Sequence, residues 1–543
     1  MPKKVTKKQK KKISKKSTKS NKKLVKKKKT MSKIKNKKSE PKQLGLLKPF
    51  LIAVLLLIVS LFEFFTNGQT FIFWMLFTIS AIIVLPNIFW LKTKKGTPFL
   101  LPFLFSMVRT QKSINLINYL AKHAKTLEKI SIIGLFVGFG LVGIDYWIAK
   151  KHSKLKRIII LIIGALLLGA TFIFGLGWMF ISPSIAPLFL LCLIAFILLG
   201  LGGFSLALLL GYGAISIVAF FSVEQICPAI TPVIPGVPIP GIGVIVPFIA
   251  WISLGAILII HEFSHGILLV KYKEKIRSVG LLLAGIFPVG AFVEQDDKTF
   301  LKSNEKNQLL VLSAGASSNL FTMFIGIILF FSFSFAVSPF VLDYNAEFAK
   351  TQDGVVVLDV LDTVSYCGIT VEAPAKGILF KDDQVLQVNG INVNNISGLL
   401  KVIKDSNYHT FTILRNDELM DVEVEPFLFK SLGIKQIGVN FTSIPTGYEI
   451  SFEKQLIYLI LNSIATIIFF FCVLSFAVGM FNFLPSDPLD GGRMAKIMMV
   501  SYVGFMGFNN EEESQKFIGR LFAWLFLIAI LVNLLPYVTM FLF

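Results

Sequence analysis

Long apolar stretches separated by short polar segments dominate the chain. Nine stretches occur, near 46–66, 71–91, 131–149, 157–181, 184–221, 244–270, 307–337, 455–484 and 518–541. Several reach the roughly 18 residues that a helix needs to cross a bilayer. The stretch at 184–221 is about twice the length of one span and contains Gly200, Gly202 and Gly203, so one long tilted helix and a helical hairpin both fit it. We predict a polytopic α-helical membrane protein with about eight to ten transmembrane helices.

Residues 340–450 interrupt this apolar pattern. Short runs of β-branched and aromatic residues predict strands there, and Asn389-Gly390 is a strong turn signal. The predicted strands are 355–358, 384–388 and 410–414, and the predicted helix is 396–403. We predict a small soluble α/β insert of about 100 residues.

Positive charge is concentrated at the N-terminus. Residues 1–43 contain 21 lysines and one acid, so they carry about 20 of the formal net charge of +23. A lysine-rich segment without apolar periodicity predicts a disordered tail that anchors the chain on the cytoplasmic side. Such a tail also suits an anionic membrane surface or nonspecific contact with nucleic acid, and no feature predicts specific nucleic-acid binding.

Basic loops predict the orientation of the helices. The loop 92–130 should be cytoplasmic, and so should the basic segment that directly follows 244–270. The insert would then lie outside the membrane, and 455–484 would return inward. The basic cluster at 150–157 conflicts with this scheme if 131–149 crosses the bilayer. Either 131–149 does not fully cross, or the charge rule fails locally.

These features divide the chain into five parts. They are a basic tail (1–43), N-terminal transmembrane helices with a cytoplasmic loop (44–224), one part of a catalytic core (225–339), the extracytoplasmic insert (340–450) and the rest of the core (451–543).

The clearest chemistry lies inside the apolar stretch 244–270, in His261-Glu262-Phe263-Ser264-His265. On a helix, positions i and i+4 share a face, so both imidazoles can bind one metal ion. Glu262 can act as a general base toward the attacking water. Ionisable residues in a bilayer are costly, so three of them on one apolar helix indicate function. A chance match or a structural metal site is the alternative.

A catalytic zinc usually has three protein ligands. The other three histidines have no partner at ligand spacing: His123, His152 and His409. A carboxylate is therefore favoured as the third ligand, and acids are scarce in the apolar stretches. Asp490, at the inner end of the helix predicted at 455–484, is the best candidate, and Asp487 remains a competitor.

The four cysteines show no spacing typical of a metal cluster. Cys227 and Cys367 both fall in segments predicted to lie outside the membrane and could form a disulfide. Two unpaired small hydrophobic residues is the simpler interpretation.

Two separate motifs together resemble the site-2 protease family of intramembrane zinc metalloproteases. They are His261-Glu-Phe-Ser-His265 and Leu489-Asp490-Gly491-Gly492. Further segments are similar to the family: Phe287-Pro-Val-Gly-Ala-Phe-Val-Glu294, Ser313-Ala-Gly-Ala-Ser-Ser-Asn319 and, for archaeal-type members, Arg109-Thr-Gln-Lys-Ser-Ile-Asn-Leu-Ile117. The insert resembles a PDZ domain, above all from Ala373 to Asn389-Gly390. Departures are Ala316 for the usual proline, Ser486-Asp487 for an apolar residue and proline, and Asp382 for a glycine.

The resemblance implies one Zn²⁺ per chain on His261, His265 and Asp490, with Glu262 as general base. Asn482 is a candidate oxyanion donor, and a capping or interhelix hydrogen bond is an equal alternative. The segment 279–294 is predicted to form a re-entrant β-loop that clamps an unwound substrate by strand addition, with an ordinary interfacial loop as the alternative. Its candidate residues are Gly285, Phe287, Pro288 and Gly290.

The implied function is hydrolysis of peptide bonds in or near transmembrane segments, as in regulated intramembrane proteolysis. The expected partners are membrane proteins with a transmembrane helix, and the lipid bilayer. We expect a multi-pass protein of a prokaryotic, archaeal-like cell membrane, with the tail and active site toward the cytoplasm and the insert outside. The alternatives are a non-catalytic metal-binding scaffold or a transporter, and a prenyl-protein processing protease. A transporter is disfavoured because the chain shows no internal repeats. A prenyl-protein processing protease is disfavoured because this chain contains the PDZ-like insert and the Leu-Asp-Gly-Gly element. The intact metal and base residues disfavour a non-catalytic scaffold.

Overall fold

The structure is a computed structural model. It describes residues 97–98, 105–109, 112–149, 154–179, 186–222, 226–231, 233–239, 244–284, 287–367, 369–405, 408–429, 434–508 and 510–542. The chain forms two compact units, one of Met1–Val108 with Leu282–Phe287 and one of Arg109–Leu281 with Pro288–Phe543. In the first unit, β1 (Thr97–Pro98) pairs antiparallel with β2 (Phe105–Arg109). The predicted tail and the stretches 46–66 and 71–91 lie outside the described residues.

Helices make up most of the second unit. They are α1 (Lys112–Leu120), α2 (Ala124–Ile144), α3 (Lys154–Met179), α4 (Ala186–Phe221), α5 (Ala250–Lys271), α6 (Asp297–Phe300), α7 (Glu305–Lys350), α8 (Ile396–Asp405), α9 (Phe452–Asn482), α10 (Asp490–Met498), α11 (Val500–Val503), α12 (Glu511–Asn533) and α13 (Leu535–Leu542). Within the described residues, six helical segments are long and apolar enough to cross a membrane: Ser113–Ile148, Ala186–Phe221, Ala250–Lys271, Glu305–Lys350, Phe452–Asn482 and Glu511–Thr539. The prediction of a polytopic helical membrane protein is thus confirmed. The six segments are candidate spans by length and composition only.

Helix α4 is a helical hairpin. Gly200 has φ of 58° and ψ of −149°, a combination that turns the chain and that favours glycine. A Cβ on Gly211 would overlap the side chain of Leu188, although these residues would be more than 30 Å apart along a straight helix. Of the two predicted forms of 184–221, the hairpin is therefore correct.

Helix α2 also turns back, at Gly140, where φ is 50°. Near its start, Glu128 pairs with Lys271 at the end of α5. Just after its end, Tyr146 donates a hydrogen bond to Glu305 in the first turn of α7. Between α5 and α7 lie the strands β3 (Ile276–Ala284) and β4 (Phe287–Gln295), and the N–H of Asp296 donates to the carbonyl of Lys275. The chain thus returns after β4 to the end of α5, so both ends of α2 lie at the same end of the helical bundle. Of the two predicted explanations for the basic cluster at 150–157, this geometry supports the one in which 131–149 does not fully cross.

The insert is a sheet covered by one helix. Its strands are β5 (Gln352–Val360), β6 (Thr363–Tyr366), β7 (Ile369–Glu372), β8 (Gln384–Val388), β9 (Ile391–Asn392), β10 (His409–Arg415), β11 (Glu418–Val424), β12 (Phe427–Phe429), β13 (Ile434–Gln436) and β14 (Val439–Pro445). The main sheet has the order β11-β10-β8-β5-β14, with β9 beside β8. The three predicted strands lie in β5, β8 and β10, and the predicted helix lies in α8. Because α7 continues to Lys350, the sheet begins at Gln352.

A disulfide joins Cys227, between α4 and α5, to Cys367, between β6 and β7. The interpretation of these two cysteines as unpaired is therefore wrong, and the insert is covalently linked to the segment that leads into α5. Cys192 and Cys472 are buried free thiols.

Candidate active site

Helix α5 presents the two histidines on one face. His261 and His265 are four residues apart, and their ring centroids lie 4.9 Å from each other. The surrounding helix is apolar. The two histidine side chains keep only 8% and 12% of their exposure. The two imidazoles therefore lie side by side on α5.

Helix α7 packs directly against these rings. Val311, Gly315 and Asn319 recur every four residues and form one face of α7. The Val311 carbonyl lies 2.6 Å from His265 Nδ1, and the Asn319 amide lies 3.1 Å from His261 Nδ1. Between them, a Cβ on Gly315 would lie 2.5 Å from His261 Nε2 and closer still to His265 Nε2. Glycine at this position leaves the space beside both Nε2 atoms open.

The carboxylate comes from the turn after α9. Helix α9 ends at Asn482 and α10 begins at Asp490. Asp490 Oδ2 lies 3.4 Å from His261 Nε2 and 3.1 Å from His265 Nε2. Burial raises the pKa of this carboxyl, but its contacts with the two imidazoles outweigh that effect and keep the pKa well below its usual range.

Two glycines after Asp490 let α10 begin this close to the preceding turn. A Cβ on Gly492 would lie 2.4 Å from backbone atoms of Ser486 and Asp487, which is too close for atoms that are not bonded. One on Gly491 would overlap the carbonyls of Phe483 and Leu484. The absence of side chains at Gly491 and Gly492 therefore allows the close packing that places the Asp490 side chain beside the histidines.

Asp487 has a different partner. Its Oδ2 accepts a hydrogen bond of 2.7 Å from Lys496 on the next turns of α10. Among the described residues, the group that can offer three ligand atoms to one ion, all within 4.8 Å of one another, is His261, His265 and Asp490. Asp490 therefore lies beside the two histidines, whereas Asp487 lies beside Lys496.

A family model for peptidase family M50 matches residues 249–528, which are 280 of the 543 residues. The chain belongs to peptidase family M50. This is the site-2 protease family, so the resemblance inferred from the two motifs is confirmed. An uncharacterized protein of Methanocaldococcus jannaschii is 27% identical over 253 residues, which are 46% of this chain. The chain spans 57% of the length of this relative.

The site of this M50 protein fits a tetrahedral divalent metal. Zinc bonds of about 2.0–2.1 Å place tetrahedral ligand atoms about 3.3 Å apart. The 3.4 Å and 3.1 Å separations from Asp490 Oδ2 are close to that value. Two imidazole nitrogens and one carboxylate oxygen are also a donor set that zinc accepts. In addition, the gap beside Gly315 keeps side-chain atoms away from both Nε2 positions.

Glu262 contacts a strand that follows α5 in the chain. Its Oε2 accepts a hydrogen bond of 2.9 Å from the backbone N–H of Val293. Val293 belongs to β4 (Phe287–Gln295), which neighbours β3 (Ile276–Ala284). Strand β4 therefore runs beside the Glu262 carboxylate.

The remaining predicted site residues have mixed outcomes. Asn482 donates a hydrogen bond of 2.9 Å to Val478 O on its own helix, and its role as an oxyanion donor stays a prediction. Phe287, Pro288 and Gly290 lie in β4, and Gly285 lies outside the described residues.

The sequence motifs alone predict no role for Val311, Gly315 or Asn319. The Val311 contact uses a carbonyl, which no side-chain pattern reveals. Gly315 and Asn319 had a usable signal, because their spacing of four residues repeats that of His261 and His265 in a segment already similar to the family. Their function depends on α7 lying antiparallel to α5, which only the fold reveals.

Proposed function

We propose that this M50 protein is a zinc-dependent intramembrane protease that hydrolyses peptide bonds in or near transmembrane segments. The observation that carries the proposal is the convergence of His261, His265 and Asp490. Both histidines and Glu262 lie on a helix that is long and apolar enough to cross a bilayer. Buried ionisable groups in such helices are costly, and catalysis is the usual reason for keeping them.

Each residue has a defined task in this reaction. His261 Nε2, His265 Nε2 and Asp490 Oδ2 would bind the metal. Zinc in this position supplies a Lewis acid that polarises the scissile carbonyl and acidifies water. Glu262 accepts a proton from the attacking water as its oxygen bonds to the carbonyl carbon. Glu262 then gives that proton to the amide nitrogen as the C–N bond breaks.

Strand β4 is our candidate for the surface that receives the substrate. A helical substrate hides its carbonyls in its own hydrogen bonds, and lipid cannot satisfy them after unwinding. An extended substrate could pair with a strand instead, and β4 is the terminal strand of its sheet within the described residues. The Val293 contact with Glu262 would bring such a substrate close to the base.

The insert, which resembles a PDZ domain, is our candidate for recognising the part of the substrate outside the membrane. A groove of about 780 Å³ is lined by α8 and β14, and β14 is the last strand of the sheet in the part of the chain that the structure describes. Its wall includes His409, which is fully buried and whose ring nitrogens have no hydrogen-bond partner within the described residues. An extended peptide that adds to β14 could supply that partner.

A charge in this groove should impair recognition selectively. Leu400 on α8 lines the groove and is 56% exposed, so Leu400→Lys should fold normally. We expect severalfold slower cleavage of a substrate with a long extracytoplasmic tail, and unchanged cleavage of one with a trimmed tail, measured in proteoliposomes. Leu419→Lys on the far strand β11, at 68% exposure, is the control. Equal effects of both variants on both substrates would contradict the proposal.

Metal dependence and the identity of the third ligand are tested by zinc content. Purified Asp490→Ala should lose most of its bound zinc, because two imidazoles alone bind weakly, whereas Asp487→Ala should retain it. Metal analysis reports the zinc, and cleavage of a reconstituted transmembrane substrate should stop on chelation and return with added zinc. Zinc loss in Asp487→Ala alone would overturn the assignment. Zinc binding by the wild type without cleavage of several substrates would favour the scaffold.

We further propose that the tail and active site face the cytoplasm of a prokaryotic, archaeal-like cell, and that the insert lies outside. The disulfide supports this orientation, because disulfides persist in oxidising surroundings.

A further inference from the structure

Each histidine of the site has a second ring nitrogen, and α7 contacts both of these. His265 Nδ1 lies 2.6 Å from the Val311 carbonyl oxygen. A carbonyl oxygen can only accept a hydrogen bond, so His265 Nδ1 carries the hydrogen. His265 Nε2 is then left with the lone pair that a metal requires.

At His261 the neighbouring side chain is Asn319, and its placement favours the opposite tautomer. The Asn319 amide nitrogen lies 3.1 Å from His261 Nδ1 and would donate to it. The ring hydrogen would then sit on Nε2, 3.4 Å from Asp490 Oδ2, and this nitrogen could not bind a metal. At the same time Asn319 Oδ1 is buried and has no hydrogen-bond partner among the residues that the structure describes. Asn319 is completely buried, so water does not easily supply one.

A half-turn of the amide reverses the contact with His261. The oxygen and nitrogen of an asparagine amide are assigned from the hydrogen-bond network and can be exchanged by this rotation. After the exchange, Oδ1 faces His261 Nδ1 and accepts its hydrogen. The buried acceptor gains a donor, and His261 Nε2 gains the free lone pair.

We infer that Asn319 is a positioning residue that accepts a hydrogen bond through Oδ1 from His261 Nδ1–H. It does for His261 what the Val311 carbonyl does for His265. The two acceptors are eight residues apart on α7, two turns, with Gly315 midway, and they fix both rings with Nε2 facing Asp490. Such partners of metal-binding histidines set the tautomer and raise ligand basicity. This inference rests on the proposed zinc site.

Two substitutions of Asn319 distinguish an acceptor from a donor. Asn319→Asp keeps an oxygen acceptor and removes the amide donor, whereas Asn319→Leu removes both at similar volume. The measurement is the zinc affinity of the full-length chain in detergent, by competition with a chelator at fixed pH, together with the melting midpoint of each metal-free variant. Ser318→Ala, whose hydroxyl bonds Gly315 O, is the control on the same helix.

We expect Asn319→Leu to bind zinc about 10- to 100-fold more weakly, and Asn319→Asp and Ser318→Ala to stay near wild type. Should Asn319→Leu not fold, Asn319→Ala replaces it in the same comparison. Equal losses in the Asp and Leu variants would overturn the inference in favour of a donor role. Wild-type affinity in the Leu variant would remove any role for Asn319. A wild type that binds zinc but cleaves nothing counts against the protease and not against Asn319.

Discussion

Glu262→Gln is expected to abolish substrate cleavage while the protein keeps its zinc. Glutamine has the same shape and can still accept the hydrogen bond from Val293 N–H through its amide oxygen. It cannot take a proton from water at neutral pH, so the step assigned to Glu262 has no base. General base catalysis contributes roughly 10²- to 10⁴-fold to rates, and we expect a loss of at least that order. The measurement is the initial rate of cleavage of a transmembrane substrate in proteoliposomes.

The control for this variant is Glu274→Gln. Glu274 lies three residues beyond the end of α5, and the same charge is removed without touching the site. Both variants should contain as much zinc as the wild type, because neither residue is assigned as a ligand. Undiminished cleavage by Glu262→Gln would sink the proposed mechanism, and zinc loss in that variant would show that Glu262 itself binds the metal.

The chemistry of the site was accessible from the sequence for a physical reason. Residues four apart on a helix must share a face, so His261 and His265 could be paired without a structure. The scarcity of acids in apolar segments left Asp490 and Asp487 as the main candidates, although they are over 220 residues from the histidines. The choice between them needed the fold, because it depends on where the turn after α9 points each side chain.

The path of the chain was harder to predict from the sequence. Hydropathy measures how apolar a segment is, and it contains no information on direction. Gly140 and Gly200 turn α2 and α4 back on themselves, and both resemble ordinary glycines in long apolar runs. A Cβ on Gly200 would crowd the Val137 carbonyl, so the two turns meet backbone to backbone. Such a requirement appears only when both partners are known.

The disulfide illustrates the same limit. Cys227 and Cys367 are 140 residues apart, and two cysteines at that separation pair only if the fold brings their Cα atoms within several ångströms. Their presence outside the predicted spans made a bond possible, but the sequence supplied no distance. The fold places them in contact through the turn between β6 and β7.

Gly315→Ala is expected to remove zinc binding although it adds a single methyl group. The new Cβ would lie 2.5 Å from His261 Nε2 and closer to His265 Nε2. Real Cβ atoms essentially never come within 3.0 Å of such neighbours. Both rings must move away, or α7 must separate from α5 and break the contacts of Val311 and Asn319 with the same rings. Either change disturbs ligand atoms that zinc requires at about 2.0–2.1 Å. We expect zinc affinity to fall by at least the roughly 10- to 100-fold seen when outer contacts of ligands are lost, with activity lost in parallel.

Gly326→Ala separates this effect from the general cost of enlarging a packed glycine. Gly326 lies 11 residues further along α7, and its added Cβ would meet Cys472 Sγ at 2.8 Å. Alanine favours helix by about 1 kcal/mol over glycine, so both variants gain the same intrinsic helix stability. Chelator competition should therefore give near wild-type zinc affinity for Gly326→Ala and a strong loss for Gly315→Ala. Full zinc affinity in Gly315→Ala would contradict a metal held between the two Nε2 atoms and Asp490.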